Sequence, residues 1–256
     1  MADKDVVTVD HREHVAVVTM HRPPANFFDL ALIQELADAL EELDMQKCRA
    51  AVLASEGKHF CAGADFGGAG AIEDRAAASR RLYREARRLF RIGMPVVAAV
   101  QGAAVGGGLG LACSADFRVT VASARFHANF AALGFHQGFG LSASLPALVG
   151  RQKATELLYT ARKVGGVEAV EIGLADRLVD GEDPLPGALA FANEIAASAP
   201  LTVRSMKVTM RGDLADEVAA ATERELDEQA KQWATEDCRI GIAASRDRTT
   251  PLFVGR

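Results

Sequence analysis

Residues 101–116, Gln-Gly-Ala-Ala-Val-Gly-Gly-Gly-Leu-Gly-Leu-Ala-Cys-Ser-Ala-Asp, constrain this chain more than any other stretch. Three consecutive glycines, Gly106 to Gly108, follow the apolar run Pro95–Val100 and open a second apolar segment of helical character. A helix N-terminus carries unpaired N–H groups and the positive end of the dipole, so it can hold an anion or a developing oxyanion. Residues without side chains let a ligand's polar atom come within hydrogen-bonding distance of that backbone. The stretch therefore predicts a strand, a glycine turn and a helix whose N-terminus forms an electrophilic hole. The plain structural alternative is that the glycines only permit close helix packing.

Spacing excludes the familiar competitors. A dinucleotide fingerprint G-x-G-x-x-G begun at Gly106 or Gly108 ends on Leu111 or Cys113. No Lys-Ser/Thr pair follows the glycines, so they form no phosphate-cradling loop. Gly140-Leu-Ser142-Ala-Ser144 approaches a nucleophile elbow but lacks its last glycine.

With 256 residues, 49% of them hydrophobic and 25% charged, the chain can bury a substantial core as one large domain or a domain with an appendage. A net charge of −5 argues against a nucleic-acid partner. The arginines from Arg80 to Arg91 are spaced on helix faces with acids between them and read as a solvated surface. The four cysteines, Cys48, Cys61, Cys113 and Cys238, form no C-x-x-C pair. They read as free thiols of a reducing compartment, neither a disulfide framework nor a metal site. The opening MADKDVV has no apolar core of a signal peptide, and no apolar run approaches membrane-spanning length, so a cytoplasmic protein is expected.

Residues 6–9 and 14–20 predict a hairpin, and Asp29 predicts the cap of a helix over 30–44 with Leu32, Leu36, Leu40 and Leu43 on one face. Short strands follow at 50–54, 95–100 and 117–121, with a charged helix before Gly93 and the glycine-run helix reaching Ala112. Residues 123–140 read as irregular, 141–149 and 151–161 as helices, and 165–178 as a short helix with a strand-like exit. From residue 184 the pattern is helical throughout, over 184–198, 200–210, 213–234 and 236–246. Strands alternating with helices, then helices alone, predict an α/β core with a helical C-terminal appendage.

Two glycine-centred segments, Phe60-Cys-Ala-Gly-Ala-Asp65 and Gly102–Asp116, occur together with Val17–Asn26, Thr160-Ala-Arg, Gly173–Val179 and the closing Pro251-Leu-Phe253. That ordered set resembles the crotonase (enoyl-CoA hydratase/isomerase) superfamily over essentially the whole chain. The resemblance implies an α/β fold, a crotonase-like spiral of ββα units over 1–195 with a C-terminal helical trimerisation region over 196–256. It implies a homotrimer or dimer of trimers, with no nucleic-acid or membrane partner. It also implies an acyl-CoA substrate, coenzyme A entering as part of that substrate, with no separate cofactor and no metal. By position, the thioester oxygen falls to the N–H groups of Ala64 and Gly107, where fixed donors stabilise enolate charge. The Ala62 carbonyl would receive the adenine amino group, Asp65 would lie near the adenine or anchor its loop, and Arg22 could meet a CoA phosphate. A lysine often found after the oxyanion loop is replaced by Gly67.

Other departures bear on the reaction. Hydratases of this superfamily place two glutamates at the positions held here by Gly110 and Phe130, and neither residue can transfer a proton. The nucleophilic Asp of the 4-chlorobenzoyl-CoA dehalogenases would fall at Gly138. His136, in a Gly-flanked loop, is left as the candidate proton relay, with Gln137, Asn129 and His127 behind it. Phe27, Phe28, Phe130, Phe135 and Phe139 are candidates for an apolar acyl pocket. The expected activity is a hydratase/isomerase-like lyase or isomerase with unusual acid/base groups. A non-catalytic acyl-CoA binder, or a hydrolase of CoA thioesters or C–C bonds using His136, is the alternative.

Overall fold

The apolar residues of Val15–Met20 alternate between two cores, and that alternation sets the layers of the molecule. The structure, a computed structural model, describes residues 6–64 and 72–256. Strands β1 (Val7–Arg12) and β2 (Val15–Met20) form an antiparallel hairpin turned at Glu13. Helix α1 (Leu30–Met45) is capped by Asp29, whose carboxylate accepts from Leu32 N at 2.9 Å. It lays Leu32, Leu36, Leu40 and Leu43 on the core that holds Ala16, Val18 and Met20.

The chain continues through β3 (Ala50–Ser55), α2 (Ile72–Leu89), β4 (Val96–Val100), β5 (Ala103–Val105), α3 (Gly107–Ser114) and β6 (Phe117–Val121). After β7 (Arg125–His127), α4 (Phe130–Leu133) and α5 (Leu141–Thr160) come β8 (Lys163–Gly165), α6 (Gly166–Glu171) and β9 (Arg177–Val179). The last helices are α7 (Leu185–Ala196), α8 (Pro200–Arg211), α9 (Leu214–Gln232) and α10 (Glu236–Asp247).

The main sheet runs β1-β2-β3-β4-β6-β9 and is parallel apart from the opening hairpin. Its inner strands are buried on both faces, which is why β3 and β4 read as continuous apolar runs. One face meets α1 and α3. The other meets α7, whose Ala188, Ala192 and Ala196 form a stripe of small residues against Val15, Val17, Val52 and Val97.

The pattern over 123–140 is where expectation and structure part. It contains β7 and α4, and β7 joins β5 and β8 in a second sheet of order β5-β7-β8. Each of these strands has three residues, too few to show alternation, and their partners are distant in sequence. The two helices expected over 141–149 and 151–161 are present; they meet without a loop at Gly150, which is non-helical at φ +75°, and are labelled together as α5. Helices α8 to α10 occupy the C-terminal region, where α9 packs along α2 and α5. No helix among the described residues is long and apolar enough to cross a membrane.

Candidate active site

Two backbone segments at β5 build the centre of the site, one running beside that strand and one following it. Residues 60–64 are clamped on both sides. Phe60 N and Cys61 N donate to Gln101 O and Ala103 O at 2.9 Å, and Val105 N donates to Cys61 O at 3.0 Å. On the other side Ala62 N donates to Ala25 O at 2.9 Å, and Phe28 N to Gly63 O at 3.0 Å. The segment therefore arrives at Ala64 with its course fixed, and the Ala64 N–H has no acceptor among the described residues.

The second segment is the glycine run. Gly106, at φ +55°, donates its N–H to His127 O at 2.8 Å and starts α3. Leu109 N and Gly110 N both turn back to Gly106 O, at 3.0 and 3.2 Å, which leaves the Gly107 N–H without an acceptor among the described residues. Gly108 allows the helix start to press on the other segment, since a Cβ there would lie 2.2 Å from Cys61 O. This close approach is what brings Ala64 and Gly107 to one cavity.

That cavity measures about 410 Å³. Ala62, Ala64, Gly106 and Gly107 form one part of its wall, and Phe28, Phe130 and Phe135 form an aromatic part. The Ala62 carbonyl accepts no hydrogen bond among the described residues. Phe139 backs the wall without lining it: a Cβ on Gly110 would lie 2.7 Å from Phe139 Cβ, so the ring fills the space a side chain at 110 would need. Phe27 is exposed and lies off the cavity.

The site residues read from the sequence divide sharply. Ala62, Ala64, Gly107, Phe130 and Asn129 come together on this cavity. Arg22 stands one step back, its Nη1 2.7 Å from Asp29 Oδ2, while Asp29 itself is on the wall. Burial pushes the Asp29 carboxyl up, but the Arg22 hydrogen bond, the Leu32 N–H and the Arg22 charge together hold it below the usual carboxylate range. Asp65 and Gly67 lie outside the described residues.

His136 is not brought to the cavity. It faces a separate one with Tyr159 and Phe253, and its Nδ1 donates to Gln137 O at 2.9 Å. The loop turns its backbone, not its imidazole, toward the Ala64 side: His136 O accepts from Gln229 Nε2 at 3.0 Å. His127 is also occupied elsewhere, with Nε2 2.7 Å from Ala161 O.

The sequence reading missed Arg75 and Tyr83 of α2, and Gln229 and Trp233 at the end of α9. Tyr83 Oη donates to Gln229 Oε1 at 3.1 Å, and a Cβ on Gly138 would lie 1.9 Å from Tyr83 Oη. Burial above all, and then the Glu225 charge, push the Tyr83 phenol up, so it stays protonated near neutral pH. Glu225 is itself buried and holds the turn before α5 by accepting from Gly140 N at 2.8 Å and Ser142 N at 2.9 Å. The sequence does carry one signal for these residues. Arg75, Ser79 and Tyr83 recur at helical spacing, as do Gln229 and Trp233. It does not say that the two faces meet.

Other chemically suggestive groups are structural. The Cys61 thiol is wholly buried and pushed up to about 12, which removes it as a nucleophile. Asp116 accepts from Val96 N and pairs with Lys207 at 2.7 Å and Arg211 at 2.8 Å, joining the sheet to α8.

Comparison with known proteins gives the family and the fold. The family model described as enoyl-CoA hydratase/isomerase matches residues 10–256. The chain is 33% identical over the full length of both proteins to YngF of Bacillus subtilis, an enoyl-CoA hydratase/isomerase by name. It is 31% identical, again over the full length of both, to crotonyl-CoA hydratase of Syntrophomonas wolfei. Its fold is similar to the crystal structure of an enoyl-CoA hydratase/isomerase from Pseudoalteromonas atlantica, with a TM-score of 0.85 and 28% identity, covering 98% of this chain and 100% of that one. The chain belongs to the enoyl-CoA hydratase/isomerase family and has its crotonase fold.

Proposed function

We propose that this protein is an enzyme that binds an acyl-CoA thioester with the thioester oxygen between the N–H groups of Ala64 and Gly107 and stabilises the enolate. The observation that carries this reading is the pair of donors, set on independent segments, without acceptors among the described residues and on one cavity wall. Donors fixed before reaction need no reorganisation as charge develops on the oxygen, an effect worth about 3 kcal/mol per donor in comparable sites. Hydration and double-bond isomerisation both pass through such an enolate. In the first, water oxygen bonds to Cβ and a proton adds to Cα. In the second, a proton leaves one carbon and another adds two carbons away.

The proton-handling role expected of His136 passes to groups on the cavity itself. In this reading the proton is handled by Tyr83 and Asp29, the hydroxyl and the carboxylate that line the cavity. Both reactions share proton transfer at the α carbon, so its exchange in D2O, with butyryl-CoA as the probe, tests the assignment for either one. The wild type should catalyse exchange, Tyr83→Phe should slow it, and Gly107→Ala should slow it about 100-fold. Exchange untouched by Gly107→Ala would overturn the hole.

One observation favours a second reading. Gly110 and Phe130 hold the positions assigned by resemblance to glutamates, and Phe139 fills the space beside Gly110. A non-catalytic acyl-CoA binder would show tight binding of butyryl-CoA and no exchange. We further propose a cytoplasmic homotrimer or dimer of trimers. Exposed Leu201, Met206, Val208 and Met210 on α8 support a subunit contact, which light scattering in solution would test.

A further inference from the structure

The reaction proposed above leaves one buried acid unused. Glu225 of α9 is fully buried, where a carboxylate must be offset by hydrogen bonds. It lies across the start of α5, whose N-cap is Gly140 and which no side chain of its own caps. Its two oxygens divide the work: Oε2 accepts from Gly140 N at 2.8 Å and Oε1 from Ser142 N at 2.9 Å. An ionised carboxylate accepts at both oxygens and donates at neither, which suits two converging N–H groups.

Helix α9 grips the same loop at two further points. Gln229 Nε2 donates to His136 O at 3.0 Å. Val218 packs onto Gly140, at φ +75°, so closely that a Cβ there would lie 2.7 Å from Val218 Cγ1. Between these ties sits Phe139, a non-glycine residue at φ +61°, a conformation that persists only where the surroundings fix it.

The Phe139 ring reaches the supports of both donors. On one side it lies against the glycine face of α3: a Cβ at Gly110 would be 2.7 Å from Phe139 Cβ, and one at Gly107 would be 3.4 Å from its Cδ2. On the other side it meets Phe28 edge to face, with ring centres 5.4 Å apart. Phe28 bridges to Ala64 and gives its N–H to Gly63 O. One ring thus touches the helix start that carries the Gly107 N–H and the residue that pins the segment carrying the Ala64 N–H.

Resting on the acyl-CoA reading above, we infer that Glu225 is a positioning residue for the oxyanion hole. It does not line the cavity and acts through Phe139. The carboxylate fixes the turn into α5, the turn fixes the Phe139 ring, and the ring sets how the two N–H groups face each other.

Exchange in D2O and infrared spectroscopy on the full chain test this, with butyryl-CoA as the probe. Glu225→Gln keeps the size of the side chain but leaves a single acceptor oxygen, and turns its amide nitrogen toward the other N–H. Exchange at saturating butyryl-CoA should fall about tenfold while affinity stays within about threefold of wild type. The stretch of an isotope-labelled thioester carbonyl should move toward its solution value, a signature that lower stability alone would not give. Phe139→Leu leaves the carboxylate and its two donors in place, should move the stretch in the same direction, and carries the test if Glu225→Gln fails to fold. The double variant should lose little more than either single one, because both act through one ring. An unmoved stretch in the single variants, or losses that add in full in the pair, overturns the inference and leaves the hole standing. Exchange that Gly107→Ala also leaves unchanged overturns the acyl-CoA reading itself.

Discussion

The two polar walls of the cavity are built by different means. The first is backbone: the N–H groups of Ala64 and Gly107, aimed by a clamped extended segment and by a helix start that glycine lets into contact with it. The second is side chain: Arg75 and Tyr83 of α2 against Gln229 and Trp233 of α9, about 150 positions away in the chain. Backbone donors are rigid and indifferent to side-chain identity, so they suit the part of a ligand that every substrate shares. Side-chain donors can be exchanged without rebuilding the fold, so they suit the part that differs from one substrate to another.

The sharpest way to break this division is at the contact between the two backbone segments. In Gly108→Val the new Cβ would meet the Cys61 carbonyl, which is backbone and cannot swing away. It should cost about 3 kcal/mol and lower the melting temperature by about 10 °C. Acyl-CoA binding should fall for every chain length alike. A variant with unchanged melting and unchanged binding would show that the contact does not set the hole.

A smaller effect concerns the support behind Gly106. The strand β7 holds Gly106 N through His127 O, and the His127 ring ties the same strand to Ala161. Burial is the main cause that pushes His127 below its ordinary 6.5, with a weaker opposing pull from the Ala161 bond. The folded state thus holds this ring neutral while the unfolded chain takes up a proton. Its contribution is present above pH 6.5 and is lost as pH falls through the lowered folded value. The melting temperature of the wild type should fall more between pH 6.5 and about pH 5 than that of His127→Gln. Parallel curves for the two proteins would contradict this role.

The same division explains what is legible in the sequence. The glycine run announces a strand, a turn and a helix N-terminus because glycine carries backbone information locally. Alternation in β2 and the spacing of Leu32, Leu36, Leu40 and Leu43 announce the layers for a similar reason. The three-residue strands of the second sheet are not legible, since each gains its meaning from a distant partner. His136 stands out in the sequence because its residue type and glycine neighbours suit proton transfer, yet the loop directs its ring into another cavity. Tyr83, Arg75, Gln229 and Trp233 read as ordinary positions on two amphipathic helices. Only the packing of α9 along α2 turns them into one wall.

The central claim is that the thioester oxygen rests on Ala64 and Gly107, and isotope-edited infrared spectroscopy reads that contact directly. Butyryl-CoA labelled with 13C at the thioester carbonyl, bound to the wild type, should show its carbonyl stretch moved to lower frequency than in water. Gly107→Ala should return it toward the solution value, because the new methyl group would lie 2.4 Å from Phe28 Cζ, so the ring or the helix start that carries the N–H must shift. A bound carbonyl with the same frequency in both proteins would contradict the account.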